Sequence, residues 1–401
     1  MSSIVIQGDT SGSITVEAPS VAGTHTLTLP KATGNIATDA TVGLGTKNRI
    51  INGDMVIDQR NAGSVKTIGN GSTNTNYIDY TLDRWQAQSY TSGSGTGGFE
   101  FTVQQVSDAP DNFTNSTKIT VTTSKSTLAA QDVGRIQQPI EGYNIADLGW
   151  GTSAAKDITI SFWVKSSLTG TFGGAIHSGS GTIHSYPFTY TISSANTWEK
   201  KTLTIAGYTS GTWLTTNGMG LKLCFSLGVG SDWVNTAFSW TTGTMLGAIG
   251  ETSVVGTSGA TWQITGVQLE LGENATPFEY RPYDMELLRC FRYCWKPNVN
   301  SQYDPIAIGR WVNTTTALVS IKLPVRSRAN FSIDYDSLSN FRINNNGSTG
   351  VITPTNLFID QVSEDHVTLG VVYSGGGQTT GFGTTLYGYN SVEDLIYSAE
   401  L

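Results

Sequence analysis

The sequence carries little charge: Asp, Glu, Lys and Arg make up 13% of its 401 residues, about half the usual share of a soluble domain. Intrinsic disorder needs the opposite mixture, many charges with few aromatic and β-branched residues. Aromatics here reach 10%, with 10 tryptophans, so the chain is expected to fold. Cysteine is scarce too. Cys224, Cys290 and Cys294 are an odd number and give no complete disulfide framework. Cys290 and Cys294 lack a second Cys or His pair at zinc-ligand spacing and read as buried thiols. No basic cluster occurs: the 23 Lys and Arg residues are scattered in a chain of net charge −8, which excludes a sequence-independent nucleic-acid binder. Nowhere does an apolar run approach the ~20 residues that span a bilayer, so no membrane insertion is expected. The opening Met1-Ser2-Ser3-Ile4 lacks the basic and apolar regions of a signal peptide, so assembly in a cytoplasm is expected.

What fills the chain instead is glycine, 46 residues of it, with Ser, Thr and Asn. Sheets with hydroxyl-rich solvent faces are the expected outcome, and the length suggests two or three domains. From Ile4 to about Ala37, Ile4-Val5-Ile6, Ser13-Ile14-Thr15-Val16 and Thr26-Leu27-Thr28-Leu29 read as short strands between glycine turns. So few residues cannot bury a core alone, so partner chains should complete them. Thr38 to Lys47 reads as a linker. From Asn48 to Tyr283 short β runs recur: Asp54 to Asp58, Phe99 to Val106, Lys118 to Thr123, Asp157 to Lys165, Phe188 to Ile192, Lys200 to Ile205, Leu221 to Leu227 and Thr261 to Leu271. That spacing points to a sandwich or jelly roll.

One helix is expected after Pro282, capped by Asp284 and stopped by Pro297. Leu287, Leu288, Phe291, Cys294 and Trp295 would form its apolar stripe. Strands return in Thr315 to Leu323, Asn330 to Tyr335, His366 to Tyr373 and Gly381 to Gly388, with a further β run at Ile396 to Leu401.

Catalytic chemistry finds little to work with. Only His25, His177, His184 and His366 could serve as bases, and no G-x-S-x-G elbow occurs. His177 and His184 flank a Gly/Ser hairpin and read as exposed rather than metal-bound. Asp54, Asp58, Asp79, Asp83, Glu141 and Glu270 are available for glycoside hydrolysis, but nothing in the sequence pairs two of them. The chain is therefore not expected to be an enzyme or to need a cofactor, with a structural calcium at Asp54 or Asp58 as the one alternative. Carbohydrate binding fits better, because sugar rings stack on Trp and Tyr faces. Trp163, on the polar face of its strand, Trp198, Trp213, Trp233 and Trp240 are the candidates, with core or interface packing as the competing role for each.

Three stretches resemble phage tail-fibre and related virion proteins. Ile6-Gln7-Gly8-Asp9-Thr10-Ser11-Gly12-Ser13-Ile14-Thr15-Val16, continuing through Thr26 to Gly34, is similar to the N-terminal segment of fibre proteins of marine and cyanobacterial phages. Asn48-Arg49-Ile50-Ile51-Asn52-Gly53-Asp54-Met55, with Asp58-Gln59-Arg60 and Thr81-Leu82-Asp83-Arg84-Trp85, resembles the opening of a carbohydrate-binding-module-like jelly roll. Gln268-Leu269-Glu270-Leu271-Gly272, Ala275 to Tyr283 and Cys290-Phe291-Arg292-Tyr293 resemble its closing strand and exit helix. The resemblance implies an all-β homotrimeric tail fibre within a virion. Residues 1–47 would anchor it to other virion proteins and 48–283 would form the jelly roll. Residues 284–300 would be helix and linker, and 301–401 a β tip. A three-fold helix would bury the Leu287/Leu288/Phe291/Cys294/Trp295 stripe, and interchain pairing would complete the N-terminal strands. The implied role is attachment to a host cell-surface glycan. A head fibre or capsid decoration is the alternative, and a polysaccharide hydrolase a third.

Overall fold

The computed structural model describes residues 3–7, 13–17, 47–93, 97–297, 299, 301–345, 350–389 and 395–401. The described residues are all-β apart from one α-helix, Tyr283–Phe291, and short 3-10 turns. They fall into two compact units, Met1–Gly43 and Leu44–Leu401. In the first, Ser3–Gln7 and Ser13–Glu17 pair with each other as an antiparallel hairpin, Ile4 opposite Val16. The strand expected at Thr26 to Leu29 lies outside the described residues.

The second unit contains a sandwich of two antiparallel sheets. One has the order Thr241–Thr242, His184–Ile192, Gly170–Ser178, Met219–Val229, Val133–Glu141, Trp85–Thr91, Thr75–Leu82. The other runs Glu199–Ile205, Ile158–Ser166, Thr261–Leu271, Ser116–Thr123, Glu100–Val106, Lys66–Gly69. Strict alternation explains the shared core. Ile158, Ile160, Phe162 and Val164 point inward from one sheet and Leu221, Leu223, Phe225 and Leu227 from the other, all fully buried. Phe162 sits edge-on to Phe225 at 5.0 Å and to Tyr190 at 5.1 Å. Trp262 donates its indole N–H to the Tyr190 hydroxyl at 3.1 Å, so a wholly buried polar tip is satisfied.

Beyond the helix a further seven-stranded sheet runs Val351–Ile352, Phe341–Asn344, Gly383–Gly388, Pro305–Trp311, Thr316–Lys322, His366–Val372, Asn356–Val362. A small sheet of Cys294–Trp295, Ile396–Ser398 and Ser332–Asp334 lies beside it, and both share a core around Trp311, Phe341 and Tyr397.

Three expectations are corrected here. Asp54 to Asp58 is a loop and no strand, because Asn52 and Met55 adopt positive φ of 57° and 60° and the Asn52 side chain bonds to both backbone groups of Ile57. The helix stops at Phe291, well before Pro297, and Cys294 and Trp295 belong to a strand paired with Ser398 and Tyr397. The expected stripe is thus divided. Leu287 packs near Ile51, Ile57, Cys290 and Tyr293, Leu288 is exposed, Phe291 is half-buried, Cys294 is fully buried and Trp295 stacks on Tyr397 at 5.1 Å. The Asp284 cap is absent as well: Pro282 holds that position without a side-chain bond.

The sandwich, the helix and the last sheet meet at a buried polar junction. Arg84, 1% exposed, places its guanidinium 3.6 Å above the Tyr293 ring, bonds to Glu400 and donates to the Pro139 carbonyl at 2.6 Å. Glu141 accepts from the Tyr293 hydroxyl at 2.5 Å and from Arg292 at 2.6 and 2.9 Å. Arg328 donates to the carbonyls of Ala399 and Glu400, both at 2.7 Å, and to that of Asn217 at 3.1 Å.

Removing one member of a buried pair strands the other charge, at a cost of about 3–5 kcal/mol. Glu400→Ala is expected to lose that much in urea unfolding, and Arg84→Met with Glu400→Leu to recover most of it. A single-variant cost below about 1 kcal/mol would show that the pair does not seal the junction.

Candidate functional site

The outer face of the six-stranded sheet carries a cleft of about 290 Å³, lined by Asp111, Asn112, Phe113, Ser161, Trp163, Lys200, Gly266, Pro277, Phe278 and Tyr280. Trp163 arrives there by alternation: it follows the buried Phe162 and faces away from the core, between Lys200 and Thr265 on the flanking strands. A bulge in the neighbouring strand, where register shifts between Thr265 and Gln268, sets Gly266 beside the ring. Gly266 has φ +61°, and an added Cβ would lie 2.6 Å from the Phe113 ring and 3.1 Å from Trp163. Only glycine lets these rings meet at the bulge.

Two segments close over this floor. The loop holding Asp111 to Phe113 is tied down by Asp108, which accepts from Lys165, from Gln263 at 3.2 Å and from the Trp198 indole at 3.3 Å. The Lys165 hydrogen bond is the main cause holding the Asp108 carboxyl below its ordinary range. From the other side comes Pro277-Phe278-Glu279-Tyr280-Arg281. Glu279 accepts from the Asn48 backbone at 2.7 Å, and Arg281 donates to the Ile50 carbonyl at 3.1 Å and to Glu286 at 3.0 Å. Phe278 and Tyr280 alternate with them and enter the cleft, with ring centroids 5.0 Å apart and 5.1 and 5.5 Å from Phe113. Tyr280 is 54% exposed, and burial of its hydroxyl together with the Asp54 charge raises its pKa. Asp54 itself is pushed up to about 6, by burial first and then by Glu286. The result is an aromatic wall with an amide, an ammonium and a carboxylate at its rim.

Of the expected tryptophans, the structure brings Trp163 into the cleft and Trp198 into its supporting network, with the Lys165 ammonium 5.1 Å over the Trp198 ring. Trp213 and Trp240 lie elsewhere, packed with Trp150 and Tyr208. Trp213 is 7% exposed, and Trp240 stacks on Tyr208 at 4.5 Å while meeting Trp150 edge-on at 5.5 Å. Their faces are engaged within the fold. Trp233 is half-buried against Val133, Cys224, Val229 and Leu246 on the outer face of the other sheet, its indole donating to the Gln131 carbonyl at 3.0 Å. Phe113, Phe278 and Tyr280 escaped the sequence reading, although the odd–even pattern of Phe278-Glu279-Tyr280-Arg281 was a usable signal.

Five of the six acids that sequence offered for hydrolysis are otherwise engaged, Glu141 at the junction with Arg292 and Tyr293. Asp58 caps the amides of Asn61 and Gly63 at 3.0 and 2.8 Å, and Asp79 pairs with Lys66 at 2.8 Å. Asp83 holds Gln59, and Glu270 accepts from Thr276. No group of three or more His, Cys, Asp or Glu side chains is arranged for a metal among the described residues. His177 is corrected from exposed to buried: it is 4% exposed within the strand Gly170–Ser178, and burial drives its pKa down to about 3. His184 meets the Tyr208 hydroxyl at 3.2 Å.

No family model matches the chain, and no curated protein matches it. Among solved structures it is similar to tailspike protein 4 of bacteriophage CBA120, at 14% identity over 56% of this chain and TM-score 0.28; the match spans 21% of the tailspike chain. It is also similar to a putative sugar-binding protein of Bacteroides thetaiotaomicron, at 10% identity over 56% of this chain and all of that one, TM-score 0.31. A family 11 carbohydrate-binding module of Clostridium thermocellum matches at 11% identity over 51% of this chain and all of the module, TM-score 0.26.

Glu251, which accepts from Ser226 and from the Ala248 amide at 2.9 Å, is pushed by burial from 4.5 up to about 7. Folding therefore favours its protonated form. Its contribution is most favourable below pH 4.5 and is lost as pH rises from 4.5 to about 7, by roughly 3 kcal/mol in all. Glu251→Gln should remove that part of the slope when unfolding midpoints are compared across this range.

Proposed function

We propose that the chain is a subunit of a homotrimeric phage tail fibre that attaches the virion to a host surface by holding a neutral face of a glycan in the Trp163 cleft. The observation that carries this reading is the convergence of Phe113, Trp163, Phe278 and Tyr280 at the bulge of the six-stranded sheet, with Asp111, Asn112 and Lys200 at the rim. Apolar faces of sugar rings stack on such walls while rim groups take their hydroxyls. The cleft is near the lower end of the ~300–1,000 Å³ usual for small-ligand sites, a size suited to the end or one segment of a chain. Composition agrees, with hydroxyl-rich β surfaces and little charge.

Binding without cleavage is part of the proposal. Among the described residues lining the cleft Asp111 is the single carboxylate, whereas glycoside hydrolysis ordinarily needs two about 5–10 Å apart. The helix supports a trimer only through its exposed Tyr283, Met285 and Leu288, since its Cys290 is buried within the chain.

Trp163→Ala is expected to weaken binding of host surface polysaccharide at least tenfold by calorimetry while leaving the thermal midpoint within a few degrees. Unchanged affinity would exclude the cleft, and shortened polysaccharide after incubation would exclude binding alone. Light scattering should give three times the 42.8 kDa subunit mass; a monomer would overturn the trimer.

A further inference from the structure

The Trp163 cleft holds two opposite charges that do not meet. Lys200 lies on the edge strand Glu199–Ile205, directly opposite Trp163 in the register, and Asp111 lies on the loop that lays Phe113 against Gly266. Both line the cleft and both are exposed. The strand of Trp163 runs between that edge strand and the strand of Gly266, so the ammonium and the carboxylate flank the indole on opposite sides. Residues opposed on antiparallel strands have Cβ atoms about 4.5–5.5 Å apart. The root of the Lys200 side chain thus stands beside the Trp163 indole, and its ammonium is within reach of a ring stacked there.

The other charges around the cleft are matched inside the fold. Lys201 pairs with Glu199 at 2.5 Å, and Glu199 also accepts from the amides of Ser193 and Ser194 at 2.9 and 2.8 Å. Lys165 pairs with Asp108, which Gln263 and Trp198 hold in addition. Arg281 is taken up by Glu279 and Glu286. Among the described residues Lys200 and Asp111 have no such partner, in each other or elsewhere. A ring laid on Trp163 takes water away from the ammonium beside it, and that loss is costly unless the ligand supplies a replacement. A hydroxyl replaces the water in part, whereas a carboxylate does so through a charge-assisted hydrogen bond. On the other side Asp111 repels an anion and accepts hydroxyl protons, so the two charges hold a ligand in one orientation. A phosphate monoester carries nearly two charges, more than one ammonium balances.

We propose, resting on the glycan reading of this cleft, that Lys200 makes it selective for an acidic sugar. The ring stacks on Trp163 by its apolar face, the carboxylate at its edge meets the Lys200 ammonium, and hydroxyls on the far side bond to Asp111. Stacking alone would accept any sugar ring. The unpaired lysine opposite the indole adds a choice of charge.

The probe is a galacturonic acid tetrasaccharide, compared by calorimetry with its methyl ester, which keeps the rings and removes the charge. The acid is expected to bind roughly fivefold more tightly than the ester, the upper end for one partly exposed ion pair. This margin should shrink as salt rises from about 50 to about 500 mM. Lys200→Gln should abolish the preference, Lys200→Arg should keep it, and Lys200→Glu should reverse it. Trp163→Ala should weaken acid and ester together. Equal binding of acid and ester, or a preference that survives Lys200→Gln, would overturn the selectivity and leave the glycan reading standing. Binding of neither at millimolar concentration would overturn the acidic sugar as ligand, whereas the glycan reading itself falls only if Trp163→Ala leaves the affinity for host polysaccharide unchanged.

Discussion

The ion pair of Arg84 and Glu400 is the contact on which the rest of the second unit's arrangement depends. Neither group has water to fall back on, since their side chains are 1% and 5% exposed. Burial works against the Arg84 charge and the Glu400 carboxylate more than offsets it, so the guanidinium's pKa rises. Around this pair every buried charge finds an opposite or a dipole: Arg60 on Glu400, Arg292 on Glu141, Arg281 on Glu279 and Glu286. Such a network contributes less through net energy than through orientation. A hydrophobic seam of the same size could close in several registers, whereas these pairs are satisfied in one.

That constraint reaches the cleft through a single extended segment. Because Glu279 and Arg281 are pinned to Asn48, Ile50 and Glu286, alternation leaves Phe278 and Tyr280 no direction but outward. Asn48 in turn donates to the carbonyl of Val267, the residue after Gly266, at 3.1 Å. The bulge and the aromatic segment are therefore positioned by the same asparagine.

Much of this architecture was legible from residue patterns. Thr261–Leu271 and Lys200–Ile205 stood out because apolar residues alternate cleanly along them. Val133–Glu141 did not, since its outward positions hold Arg135, Gln137 and Pro139 and its apolar positions are interrupted. The residues that break its pattern, Arg135 and Gln137, bond to Gln88 and Gln86 on the neighbouring strand. The junction was invisible for another reason. Asn52, Asp83 and Arg84 look like loop residues, and only the return of Glu400 converts them into interior ones. The Trp163 face was readable from alternation alone, whereas Phe113 reaches it from a loop that no periodicity marks.

The partners Arg84 and Glu400 are 316 residues apart in the chain, and this has a consequence for how the protein is made. The first sandwich strands leave the ribosome long before the anion that neutralises their buried guanidinium, so that edge stays open while most of the polypeptide is still being added. Long-range closure of this kind slows folding and lengthens exposure of unpaired edges. A nascent chain would thus hold its unfinished state in waiting, and the arrival of one glutamate would commit three substructures at once.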